Sequence, residues 1–170
     1  KKDDYLRRLT HIEDFHGLIF FNQLTELGVM EEKLLYRGVP VGSLASDQNK
    51  LLRKAALEQF KKKMVRALLT TDVAARGLDI TGLPYVVNAE VPLSEEAYLH
   101  RSGRTGRMGN EGIVITLVQD NNLRDLKRLL RPSNITLEEI FLYGGKLQTE
   151  QPTKEDAAPA VNKKYAKTFS

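Results

Sequence analysis

Four short apolar runs punctuate the chain, at residues 18–21, 65–71, 85–89 and 113–118, and the stretches between them carry apolar residues at helical spacing. Runs that are apolar on both faces, and too short to be helices, suit strands buried in a parallel sheet. Alternation of such strands with helices predicts an α/β fold, a parallel sheet with helices on both faces. A further short strand is expected over 39–44. Helical spacing is clearest at Leu6, Leu9 and Ile12, at Leu24, Leu27, Leu34 and Leu35 up to Arg37-Gly38, and at Leu123, Leu126, Leu129 and Leu130 before Pro132. From Asp47 a helix is predicted with Leu52, Ala55, Ala56 and Phe60 inward and Lys50, Arg53, Lys54, Glu58 and Lys61 outward. Ser94 marks another helix start: its hydroxyl can accept from a free N–H, and Glu95 and Glu96 suit the positive end of the dipole.

At 170 residues the chain suits one domain. Polar residues displace the apolar period after Leu147, so the expectation is a domain over 1–147 and a loosely ordered polar tail over 148–170. The absence of cysteine excludes disulfides, thiolate metal sites and cysteine nucleophiles, and favours a reducing, cytoplasmic setting. No run approaches the roughly 18 apolar residues of a membrane span. The residues from Lys1 to Tyr5 lack the apolar stretch of a signal peptide, and no membrane partner is expected. Lysine and arginine (26) exceed aspartate and glutamate (22), a net charge of +4 that suits a polyanionic partner without demanding one. A start at Lys1 rather than Met raises the expectation of a longer parent protein.

Ligands of open α/β sheets bind beyond the carboxyl ends of the strands, which directs attention to the loops after Phe21, Thr71, Ala89 and Val118. Two segments there are unusual. One is Asp72-Val73-Ala74-Ala75-Arg76-Gly77-Leu78-Asp79-Ile80, and the other is His100-Arg101-Ser102-Gly103-Arg104-Thr105-Gly106-Arg107. Arg101, Arg104 and Arg107 recur every third residue and repel one another unless an anion lies between them. Phosphate is the natural anion, because guanidinium is planar, permanently charged and bidentate toward its oxygens. Gly103 and Gly106 remove side chains from the same loop. A solvated basic loop is the plain alternative.

Taken whole, the second segment resembles motif VI, and Thr71 to Ile80 resembles motif V, of the superfamily 2 helicases; together they resemble the DEAD-box RNA helicases. The likeness runs from about Leu6 to Leu130 and implies the RecA-like C-terminal helicase domain of such an enzyme. By motif position, Arg104 and Arg107 would be arginine fingers that reach ATP held by the N-terminal RecA-like domain of the same protein, with both side chains pointing into solvent from this one. Gly77 and Asp79 would bind the nucleotide, Gly77 by letting the backbone pass close and Asp79 through the ribose hydroxyls. His100 and Arg76 would couple the two domains across the cleft. Thr71, Asn22 and Gln23 would contact RNA, and Thr71 could read a 2′-OH. Lys50 and Arg53 stand where many relatives carry a glutamine and an arginine, and could bind RNA phosphates or be solvated helix residues. Asp72 reads most simply as a carboxylate that orders its loop. His11 and His16 lie outside the motifs and read as structural.

No Gly-x-x-x-x-Gly-Lys-Ser/Thr loop occurs: Gly144-Gly145-Lys146 is followed by Leu147, and Ile140 stands where the first glycine would be. No Asp-Glu-Ala-Asp string occurs either. ATP and Mg²⁺ are therefore expected to be held mainly by the other domain, no metal site is expected here, and the chain alone is expected to be inactive. A DNA-directed helicase domain of the same superfamily, or a non-catalytic RNA-binding module, are the competing readings. Lys163, Lys164 and Lys167 would let the tail add RNA affinity.

Overall fold

Each of the four apolar runs is a strand. The computed structural model describes residues 1–45, 48–106 and 112–152 in full and the backbone of 164–169. In chain order the elements are α1 (Lys2–Thr10), β1 (Gly17–Phe21), α2 (Leu24–Tyr36), β2 (Val41–Ser43), α3 (Lys50–Lys61), β3 (Ala67–Thr71), the single turn α4 (Asp72–Ala75), β4 (Tyr85–Asn88), α5 (Glu95–Ser102), β5 (Gly112–Leu117) and α6 (Asp120–Leu130). A 3-10 turn (Arg131–Ser133), β6 (Glu138–Tyr143), β7 (Lys146–Gln148) and β8 (Lys164–Phe169) follow.

The sheet order is β2-β3-β1-β4-β5-β8-β6-β7, and the first five strands are parallel. Side chains alternate across it. Ile19, Phe21, Leu69, Val87 and Ile115 join Leu6 and Leu9 of α1 and Leu27 and Leu34 of α2 on one face. Leu18, Phe20, Leu68, Val86 and Val114 join Phe60 of α3, Tyr98 of α5 and Leu126 and Leu130 of α6 on the other. Both faces are thus covered, which is why β1, β3 and β4 read as unbroken apolar runs.

Two expectations give way. In α3, Leu51 and Leu52 are 76% and 61% exposed, and the inward residues are Ala56, Leu57 and Phe60. Arg53 occupies the same face one turn earlier and reaches across to donate to the Ala74 carbonyl at 2.6 Å. A long amphipathic stem can pack where an apolar residue is expected, provided its charged end finds an acceptor. The sheet also continues past residue 147. β6 and β7 form a hairpin through Gly144 and Gly145, both at positive φ, and β8 runs antiparallel between β5 and β6. An edge strand offers unpaired N–H and C=O groups, and a polar segment can satisfy them because the ladder is made by backbone. Residues 153–163, including Lys163, lie outside the described residues.

Candidate functional site

The chain leaves β3 on one side of β1 and returns as β4 on the other, so the strand order reverses around β1. Beyond the carboxyl ends of these strands lies a cleft of about 610 Å³, at the place where open α/β sheets bind ligands. Its wall comprises Phe20, Asp72, Ala75 to Gly77, and the part of α5 and its continuation that carries Glu96, His100, Arg101 and Arg104.

Two caps set this geometry. The Thr71 hydroxyl accepts from the Ala74 N–H at 3.3 Å and opens α4, while Ser94 Oγ accepts from the Ala97 N–H at 3.0 Å and opens α5 as predicted. α4 ends at Arg76, and Gly77, at φ +79°, turns the chain back. The turn explains this glycine, since a Cβ here would meet nothing within 4 Å. α5 then places His100 on the solvent side and Arg101 on the sheet side, with Tyr98 beneath it pushed up to about 12 by burial and hence a neutral hydroxyl.

Arg101 is 1% exposed and uses all five of its N–H donors. Nε and Nη2 meet the two carboxylate oxygens of Asp72 at 2.8 and 2.7 Å. Nη2 also donates to Asn22 Oδ1 at 2.7 Å, and Nη1 donates to Asn88 Oδ1 and the Glu90 carbonyl, each at 3.2 Å. Its guanidinium carbon lies 5.2 Å from the centroid of the Phe20 ring. Repulsion among clustered arginines is thus relieved at Arg101 by the chain's own acid. Asp72 orders the loop, as its position suggested, through this one partner.

Arg104 departs from the expectation that it points into solvent. It is half-buried, and its guanidinium donates to the carbonyls of Leu78, Ala75 (3.0 Å) and Ile80 (3.5 Å). Ala75 ends α4 and its carbonyl also accepts from the Leu78 N–H at 3.1 Å, while Leu78 and Ile80 belong to the loop that follows, so the guanidinium ties that loop to the end of α4. Arg104 still lines the cleft. Arg107 lies outside the described residues. Arg76 and His100 are exposed on the cleft wall, Gly77 joins them, and Asp79 is exposed on the same loop but does not line the cleft.

The expected RNA contacts divide. Gln23 and Lys50 are exposed. Thr71 is 5% exposed with its hydroxyl engaged as the α4 cap, and Asn22 spends Oδ1 on Arg101 and Nδ2 on the Val91 carbonyl at 3.1 Å. Arg53 is tied to α4. These three side chains are struts of the loops rather than groups presented outward. Each has a partner within hydrogen-bond distance in its own lobe. The Arg101 network went unread in the sequence, although a signal existed: Asn88 is polar inside an apolar strand, and a buried amide requires partners. Among the described residues no three His, Asp or Glu gather as a metal site would need.

Residues 1–109 match the family model of the helicase conserved C-terminal domain. The probable ATP-dependent RNA helicase YfmL of Bacillus subtilis (strain 168) is 41% identical over 145 residues, covering 85% of this chain and 38% of its own length. The solved C-terminal domain of the DEAD-box protein Dbp5 superposes with a TM-score of 0.69 at 30% identity, covering 78% of each chain. S. cerevisiae Dbp5 bound to RNA and ADP BeF3 gives a TM-score of 0.69 at 30% identity, covering 76% of this chain and 35% of that one. This chain spans 38% and 42% of the length of the first two curated relatives it matches. With five parallel strands between two helical layers and a family match over most of its length, the chain belongs to the helicase conserved C-terminal domain family, as the RecA-like C-terminal domain of a DEAD-box RNA helicase.

Proposed function

We propose that this chain is the second lobe of an ATP-dependent RNA helicase, and that it completes an ATPase site on the other lobe instead of cradling a nucleotide itself. One observation carries the reading: an open cleft at the strand ends has Arg76, His100 and Arg104 on its wall and none of the glycine loop that would wrap a triphosphate. A phosphate chain with Mg²⁺, presented from the facing lobe, would meet these groups end-on. In phosphoryl transfer the protein mainly positions and neutralises, and an arginine delivered to the transferred group contributes on the order of 10³ to 10⁵ in rate.

Arg104 is the candidate for that delivery, with Arg107 beside it in sequence. At rest Arg104 holds the carbonyls of Ala75, Leu78 and Ile80. To act it exchanges these acceptors for phosphoryl oxygens, so its engagement loosens the loop that also carries Gly77 and Asp79. Arg101 keeps Asp72 and the start of that loop fixed meanwhile. Gln23 and Lys50 are the exposed candidates for RNA phosphates on the same lobe, and closure of the two lobes around RNA and ATP would strain a short duplex. The likeness to a Dbp5 structure that holds both RNA and ADP BeF3 supports this division of labour.

The test is turnover by the purified 170-residue chain. The reading expects no ATP hydrolysis, with or without RNA, and weak RNA binding that disappears as salt is raised. Robust hydrolysis by this chain alone would contradict it.

A further inference from the structure

α6 buries Leu126 and Leu130 and turns its opposite face to solvent. That face is basic. Arg124, Lys127, Arg128 and Arg131 stand at positions i, i+3, i+4 and i+7, all exposed, and form one stripe about 10 Å long at ~1.5 Å rise per residue. Asp125 lies 4.0 Å from Arg128, with both side chains 68% exposed. The salt bridges of the described residues include none to Arg124, Lys127 or Arg131. A helix dipole favours cations in the last turn, which accounts for Lys127 and Arg128 but not for Arg124. Beside the stripe runs a groove of about 550 Å³ lined by Lys127, Arg131, Asn134 and Thr136, with Ile135 and Leu137 at its floor half-buried against the core.

We propose that this α6 face is a second polyanion surface, separate from the cleft, that binds the sugar-phosphate backbone of duplex RNA. The inference rests on the reading of the chain as half of an RNA helicase. Three of the four cations are arginines, suited to bidentate phosphate contacts, and Asn134 and Thr136 add uncharged hydrogen-bonding groups at the groove. A docked protein would call for an apolar centre. The exposed large apolar residues of the described chain, among them Tyr36, Leu51, Leu52 and Leu93, all lie on other elements. On the β5 side of the sheet, α6 would hold a duplex flank while the strand to be displaced lies at the strand ends.

The experiment is a salt titration of the 170-residue chain against a fluorescein-labelled, blunt-ended RNA duplex, followed by anisotropy. Replacing Arg124, Lys127 and Arg131 together by Gln is expected to weaken binding about tenfold at low salt and to flatten the slope of log K against log salt by about 2.7, as the loss of three phosphate contacts on a duplex requires. The control replaces Lys61, Lys62 and Lys63 by Gln, which removes the same charge and is expected to leave affinity within about twofold. An unchanged slope in the α6 variant, an equal fall in both variants, or competition by poly-glutamate as strong as by unlabelled RNA would each overturn the proposal. The helicase reading is tested separately by ATP hydrolysis, so either can fail while the other stands. Because all six residues are exposed, thermal midpoints of both variants should match the parent, which separates binding from folding.

Discussion

Arg101 and Asp72 meet fork to fork, with both guanidinium–carboxylate contacts under 2.9 Å and the arginine wholly buried. The pair joins α5 to the segment after β3 and gathers Asn22 from the loop after β1 and Asn88 from β4 around one cation. A lysine offers a point charge and three donors, which cannot reproduce five directed bonds. Arg101→Lys and Arg101→Ala should therefore each cost about 3 kcal/mol, the lower end for breaking a buried pair, because Asp72 keeps partial access to water. Urea unfolding reads this directly, and a loss below 1 kcal/mol would show that the network is dispensable.

Thr71 carries a smaller and more local load. Replacing it by Val removes the hydroxyl that caps α4 and should cost about 1 kcal/mol, whereas Ser should stay within a few tenths. Faster amide exchange at Ala74 in the Val variant alone would mark the lost cap.

Gly17 begins β1 directly against β4. A Cβ at this position would lie 2.9 Å from the carbonyl carbon and from Cβ of Tyr85, and closer still to its carbonyl oxygen. Backbone must yield, and the parallel β1–β4 pairing that frames the cleft cannot shift without moving Phe20 and Asn88. Gly17→Ala should cost about 3 kcal/mol or more, whereas Gly28→Ala, where nothing lies within 4 Å, should be neutral or stabilising. Paired thermal melts of the two variants check the contrast.

His16 stacks on Phe60 with ring centroids 4.1 Å apart and bonds the Phe60 carbonyl at 2.8 Å. Burial lowers its pKa below the ordinary 6.5, Lys63 and Arg66 lower it further, and the carbonyl bond opposes them. The unfolded chain then binds a proton that the folded chain resists. Stability should fall as pH drops below about 6.5 and level off below the folded pKa. His16→Phe keeps the stack and should flatten that part of the stability curve. An unchanged pH profile in the variant would assign the loss to other groups.

Much of this was legible in the residues themselves. The runs that became β1, β3, β4 and β5 announced a sheet covered on both faces, and the Ser94-Glu95-Glu96 sequence announced the start of α5. Motif resemblance brought Arg76, Gly77, His100 and Arg104 to one cleft, although Asp79 stands outside its wall. What sequence could not separate was the roles of successive arginines. Arg101 and Arg104 share a motif and a spacing, yet one is locked on a carboxylate and the other rests on carbonyls, a difference set by partners that arrive from the segments after β1 and β3 and from β4. Periodicity also misled at α3, where Arg53 stands on the inward face, and at β8, where pairing depends on backbone and leaves no apolar signature.

The central claim is that Arg104 leaves its resting carbonyls to serve a nucleotide on another lobe. It is tested most directly by single-turnover ATP hydrolysis of a longer protein that carries both lobes and Arg104→Ala, at saturating RNA and with enzyme in excess over ATP. A fall in rate of about 10³ or more, with nucleotide and RNA affinities within a few-fold of the parent, is the predicted result. Hydrolysis within about tenfold of the parent, accompanied by a lowered thermal midpoint, would show that Arg104 serves only to hold its own loop.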